Sequence, residues 1–124
     1  MSAESPPLFV ACLCAAWCGA CRDYRAVFET LALSFAGSEF AWIDVEDRAD
    51  ALGELDVEDF PTLFIARGGE TLFLGPVTPH LATADRLVRS ALAGELAATV
   101  DPVQADLPTR LRAAARHIDR TIPS

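Results

Sequence analysis

Cys18 and Cys21 are the residues of this 124-residue chain best suited to chemistry. They stand three apart in Trp17-Cys18-Gly19-Ala20-Cys21, where an apolar run ends and a helical pattern begins. A thiol at a helix N-terminus meets unpaired backbone N–H groups and the positive end of the helix dipole. Both favour thiolate over thiol. The second thiol lies one turn on, within reach of a small disulfide. Such a pair suits two-electron exchange: thiolate attack, mixed disulfide, resolution. Cys18, at the exposed end of the motif, is the expected nucleophile, and Cys21, more buried, the resolving thiol. Arg22 follows the pair directly and is read chiefly as a solvated cation.

Cys12 and Cys14 complete the set, so that all four cysteines fall within ten residues. A disulfide scaffold would spread its cysteines to staple distant loops, whereas clustering points to redox chemistry or metal. Period two puts Cys12 and Cys14 on one face of a strand. They read first as small buried hydrophobes, as free cysteines commonly are. A zinc site from all four thiols is the rival. Cys-x-Cys on a straight strand before Cys-x-x-Cys on a helix suits tetrahedral coordination poorly. No metal or cofactor is therefore expected. His80 and His117 lie outside the motif and read as surface residues.

The elements that must position this pair follow from patterning. Leu8–Cys14 is continuously apolar, as in a strand buried on both faces. A helix is expected from about Cys18 to Phe35, with Tyr24, Val27, Phe28, Leu31 and Phe35 on one face and Gly37 as its stop. Phe40–Val45 is the second strand. The stretch from Asp44 to Asp59 holds eight carboxylates against Arg48 alone and should form solvated loops with a short helix around 49–55. It is not a calcium loop, because counted from Asp44 the required glycine is Ala49 and the closing glutamate is Leu55. Thr62–Ala66 and Glu70–Leu74 flank Gly68-Gly69 as an antiparallel hairpin. A helix spans about Thr83 to Ala93, with Leu87, Val88, Ala91 and Leu92 inward. The order βαβαββα implies an α/β fold, a mixed sheet of about four strands with helices on both faces.

A tail closes the chain. Asp106 suits an N-cap and Pro108 the first turn of a further helix. Its apolar face is Leu111, Ala114, Ala115, Ile118 and Ile122. Short helices are marginal alone, so this one should dock on the body or on a partner. The expected division is a domain over residues 1–94 and a helical extension over 95–124.

Net charge is −8, without a single lysine, and residues 1–94 carry all of it. An acidic body argues against a nucleic-acid partner. No apolar run reaches membrane-spanning length, and no membrane association is expected. Leu8–Ala16 lacks the preceding positive charge and the length of a signal peptide, so a reducing cytoplasm is the expected compartment.

From about Leu8 to Gly94 the sequence resembles thioredoxin. Trp17-Cys18-Gly19-Ala20-Cys21 is similar to the family's Trp-Cys-Gly-Pro-Cys, and Phe60-Pro61-Thr62 stands where thioredoxins carry a cis-proline before a strand. The resemblance implies a thioredoxin-like fold and a protein-disulfide oxidoreductase, acting chiefly as a reductase. Protein disulfides would be its substrates, and an upstream reductant, thioredoxin-reductase-like or glutathione-linked, would regenerate it. Trp17, Gly19, Ala20, Phe60 and Pro61 would contact substrate, with the backbone before Pro61 pairing like an added strand.

The departures matter as much. The chain is expected to lack the first strand and helix of full-length members. The family's buried aspartate is replaced by Cys12 and its lysine partner by Trp42. Losing both together is coherent, since one charge alone would be buried and unpaired. Cys12 then becomes a possible auxiliary thiol beneath Cys21. The alternative function is a thioredoxin-fold binding or assembly module whose acidic face or C-terminal helix recruits a partner.

Overall fold

The computed structural model describes residues 8–15, 18–35, 37–46, 60–78, 80–96, 106–114 and 116–117. Five strands form one sheet: β1 (Leu8–Cys14), β2 (Glu39–Asp44), β3 (Thr62–Arg67), β4 (Glu70–Pro76) and β5 (Arg116–His117), in the order β4-β3-β1-β2-β5. The helices are α1 (Gly19–Ser34), α2 (Leu81–Leu92) and α3 (Leu107–Ala114). The order inferred from patterning holds for β1, α1, β2, β3, β4 and α2. The short helix expected at 49–55 lies outside the described residues.

β1 is central because it has no polar face to offer solvent. All seven of its residues are buried. It runs parallel to β2 and antiparallel to β3, and β3 turns back into β4 through Gly68, whose φ of 59° is costly for any residue with a Cβ.

Alternation along β1 feeds two cores. Leu8, Val10, Cys12 and Cys14 face one side, where they meet Cys21, Tyr24, Phe28 and Leu31 of α1 and Ala84, Val88 and Ala91 of α2. Phe28 packs edge-on against Phe40 and Trp42, with ring centroids 5.6 and 5.8 Å away. Such pairs contribute about 0.5–1.5 kcal/mol beyond area burial. Arg67 donates from Nη2 to the Ala91 carbonyl at 3.1 Å, placing a cation at the C-terminal end of α2. Leu92, expected inward, is 48% exposed. It lies about 80° round the helix from Ala84, at the margin of the stripe formed by Ala84, Val88 and Ala91.

Phe9, Ala11 and Leu13 face the other side, and α3 covers them. Leu107 and Leu111, one turn apart, are fully buried against these residues and Ala41, Ile43, Phe64 and Ala66. Arg112 ties α3 down: its guanidinium sits 5.1 Å from the Phe9 ring centroid and Nη1 donates to the Gly68 carbonyl at 2.7 Å. The Asp106 carbonyl accepts the Arg110 N–H at 3.0 Å, which is the first backbone bond of the helix.

The tail departs from expectation in one respect. The helix expected to carry on to Ile122 ends at Ala114, and β5 follows, pairing antiparallel with β2 at Ala41 and Trp42. Without β5, the outer edge of β2 would present unpaired N–H and C=O groups there, and two strand residues satisfy part of that edge. Ile118 and Ile122 lie outside the described residues.

Candidate functional site

The carboxyl end of β1 delivers the site. Cys14 closes the strand, and Cys18 is the N-cap of α1, with extended backbone at φ −85° and ψ 118°. The Cys18 N–H donates to the Ala15 carbonyl at 3.0 Å, while its own carbonyl accepts the Arg22 N–H at 3.2 Å and begins the helix. The Cys18 thiol makes no close capping hydrogen bond. It nonetheless faces the N–H of Cys21, the Cys21 thiol and the N–H of Ala20, with the Arg22 charge adding to them. Together these hold its pKa below the usual thiol value against some desolvation.

Cys21 lies one turn along α1 and is 2% exposed. Burial pushes its thiol pKa up, and a hydrogen bond with the Cys14 thiol pushes the same way. Two thiols in one motif thus receive opposite environments: one sits at a solvent-facing helix start, the other under the sheet.

The contact continues inward. The Cys12 and Cys14 sulfurs are 3.5 Å apart, and both thiols belong to the buried cluster that holds Cys21. The Cys12 hydrogen bond, followed by burial, drives the Cys14 pKa far above the usual thiol range. Tyr24, three residues beyond Cys21, closes the group from α1. Its hydroxyl is buried with no hydrogen-bond partner among the described residues. Burial raises its pKa, and charge on Cys12 or Cys14 would raise it further. All four thiols therefore meet in one core cluster, Cys12, Cys14 and Cys21 buried in it and Cys18 packed against it.

Cys12, the expected auxiliary thiol, is fully buried on the same side of β1 as Cys14, in the cluster that holds Cys21. Cys12 does sit in register with Trp42, as expected, and both positions are without charge. Trp42 is half-buried beneath the Arg25 guanidinium, 5.0 Å from its ring centroid.

The other expected site residues fall as follows. Gly19 and Ala20 are the exposed first residues of α1. The Phe60–Pro61 peptide is cis, and Pro61 is buried. The register Leu13↔Thr62 brings Pro61 alongside the end of β1, and Phe60 packs on the same core as Cys18 and Cys21. The Pro61 carbonyl is occupied by the Val77 N–H at 3.1 Å. Trp17 lies outside the described residues. His80 is exposed and caps α2, and His117 lies in β5, both remote in sequence from the thiols. Among the described residues, no group of three or more His, Cys, Asp or Glu is arranged to hold a metal ion, and no helix is long and apolar enough to cross a membrane.

Comparison with known proteins points one way. The Thioredoxin family model matches residues 2–83. Thioredoxin Asp f 29 of Aspergillus fumigatus is 35% identical over 84 residues, covering 64% of this chain and 76% of that protein. Thioredoxin H2-1 of Oryza sativa subsp. japonica is 39% identical over 56 residues, covering 45% of this chain and 41% of that protein. Matched segments thus span from about two-fifths to three-quarters of these relatives. Among solved structures, thioredoxin from Trypanosoma brucei brucei superposes with a TM-score of 0.63 at 26% identity, over 70% of this chain and 76% of that one. Fasciola hepatica thioredoxin gives 0.58 at 25% identity, over 72% and 81%.

Proposed function

The chain belongs to the thioredoxin family, and we propose that it is a protein thiol–disulfide oxidoreductase working through Cys18 and Cys21. One observation carries this reading: Cys18 caps α1 with a depressed pKa while Cys21 stands buried one turn behind it. The Cys18 thiolate attacks a substrate disulfide. One substrate sulfur leaves as thiolate, and a mixed disulfide forms on the other. Cys21 then loses its proton and attacks Cys18, which releases the second substrate sulfur and leaves the Cys18–Cys21 disulfide.

The raised pKa of Cys21 slows resolution, because the thiolate is the nucleophile. No carboxylate stands at position 12 to take the proton. A general base typically contributes about 10²–10⁴-fold, and position 12 supplies none.

Trp17, Gly19, Ala20, Phe60 and Pro61 are the residues proposed to meet the substrate. Net flux is proposed toward substrate reduction in a reducing compartment, the cytoplasm, with an upstream thiol reductant regenerating the pair. Recruitment through the tail helix is not favoured, since α3 spends Leu107 and Leu111 on the sheet. Insulin-disulfide reduction in dithiothreitol tests the proposal. The wild type should accelerate precipitation, and Cys18→Ser should fall to the dithiothreitol background. Equal rates would refute it.

A further inference from the structure

We propose that Cys12 and Cys14 are a second redox pair, which hydrogen peroxide oxidises to a disulfide within β1, separately from Cys18 and Cys21. The proposal goes beyond the oxidoreductase reading and does not depend on it. Its basis is a contact: the two sulfurs are 3.5 Å apart, both side chains are buried, and the exchange reaction above uses neither.

Residues i and i+2 of a strand have Cα atoms about 6.4–6.8 Å apart, inside but near the upper end of the range that disulfides span. The sulfurs must close by about 1.5 Å to reach bonding distance. The end of β1 has the freedom to take up that movement. At Cys12 the strand is held from both sides, by Trp42 of β2 and Leu63 of β3. The ladder with β3 stops at Leu13↔Thr62, so among the described strands β2 alone holds Cys14. There Cys14 pairs with Asp44, and its carbonyl accepts the Val45 N–H at 2.8 Å. The bond can therefore form by a shift on the Cys14 side while Cys12 stays fixed.

Burial selects the oxidant. Cys12 and Cys14 are 0% and 1% exposed, which shuts out a bulky disulfide. A molecule near the size of water can enter when the strand end opens locally. One sulfur attacks a peroxide oxygen, the O–O bond breaks, and the departing hydroxide takes the thiol proton as water. The product is a sulfenic acid. The second sulfur attacks the sulfenic sulfur, the S–S bond forms, and the second hydroxide leaves with the remaining thiol proton as water. Two thiols are oxidised to one disulfide, and one peroxide is reduced to two waters.

The hydrogen bond with Cys12, followed by burial, makes Cys14 hold its proton more tightly than an ordinary thiol. Oxidation is accordingly slower here than at Cys18, where the thiolate is favoured. A disulfide near the limit of its geometry is strained and correspondingly easy to reduce. The inner pair thus acts as a reversible store of oxidation in the core, not as a permanent staple.

The test uses the full chain, reduced and then exposed to a small molar excess of hydrogen peroxide near neutral pH. The sample is acid-quenched, unfolded, alkylated with N-ethylmaleimide and digested with pepsin at low pH. Mass spectrometry should find Cys12 and Cys14 unalkylated and joined to each other, and dithiothreitol should return both to alkylatable thiols. Both thiols left free after Cys18 and Cys21 are fully oxidised would overturn the proposal. So would sulfinic acid at either position, or links from either to Cys18 or Cys21. In parallel, Cys18→Ala/Cys21→Ala keeps only the inner pair. It should lose both remaining thiols to peroxide while its circular dichroism stays that of a folded chain, and retention of both would also overturn the proposal. Should that variant not fold, the wild-type mapping decides. Neither arm reads disulfide reduction, so the insulin assay tests the oxidoreductase reading on its own.

Discussion

The difference between Cys18 and Cys21 is one of environment, since both are thiols on the same helix. Backbone N–H groups serve the first, and burial penalises the second. Cys18 should therefore alkylate faster than Cys12, Cys14 or Cys21. Its rate should rise with pH through a midpoint below the usual thiol value of about 8.5, because the thiolate reacts and its pKa is lowered. Brief iodoacetamide treatment across a pH series, read by peptide mapping, checks this. Faster labelling of any other cysteine would reverse the assignment. A stabilised Cys18 thiolate also stabilises the reduced form, and Ala20 replaces the motif's proline. The Cys18–Cys21 potential should then lie above thioredoxin's roughly −270 mV, measured by equilibration with glutathione. At position 12, restoring an acid should do harm. Cys12 is fully buried and its register partner is Trp42, so Cys12→Asp places a carboxyl where no cation waits. The cost should be about 1–3 kcal/mol in a denaturant titration. Its folded pKa is raised, so the loss deepens as pH climbs past about 4, where the unfolded chain ionises and the folded one resists. A variant as stable as wild type at neutral pH would show that the site is wetter than the packing implies.

Elements turn these residue properties into a site. β1 is the axis: its even positions line the thiol side and its odd positions line the side that α3 covers. A strand buried on both faces needs a cover on each. α1 and α2 supply one. On the other, among the described side chains of α3, two leucines and a proline are buried, so each matters. Leu111→Ala should destabilise the protein by about 2–5 kcal/mol, the range for removing a leucine from a packed core. Disulfide exchange by the remaining folded fraction should persist, because the thiols lie on the opposite face. Thermal unfolding and the insulin assay on one sample separate the two effects. Unchanged stability would mean that α3 is not needed to cover the sheet.

For the whole molecule, the question is whether the tail is an appendage or part of the folding unit. By patterning, residues 95–124 stand apart as an extension, with a charge balance of zero after an acidic body. The packing of Leu107 and Leu111 against Phe9, Leu13, Ile43 and Phe64 argues for one cooperative unit. Unfolding in urea should be a single transition, coincident by circular dichroism and tryptophan fluorescence. A chain ending at Gly94 should lose that cooperativity, since it would expose the aromatic and aliphatic side chains beneath α3. A truncated chain that melts like the full one would restore the boundary at 94.

The sequence alone was enough to nominate Cys18 and Cys21 and to give the strand that leads to them and the order of the principal elements. Each rests on local physics: Cys-x-x-Cys at a helix start, an apolar run of strand length, helical periodicity, Gly-Gly between strands. Two things were decided only by the tertiary structure. One is the contact between the inner thiols. Period two says that Cys12 and Cys14 share a face, but only the packed strand brings their sulfurs to 3.5 Å of each other. The other is the fate of the tail. An amphipathic pattern from Leu111 to Ile122 specifies an apolar face without naming what covers it. An exposed edge on β2 and an open second face on the sheet end the helix at Ala114 and turn the chain into β5, because those partners exist only once the sheet has formed.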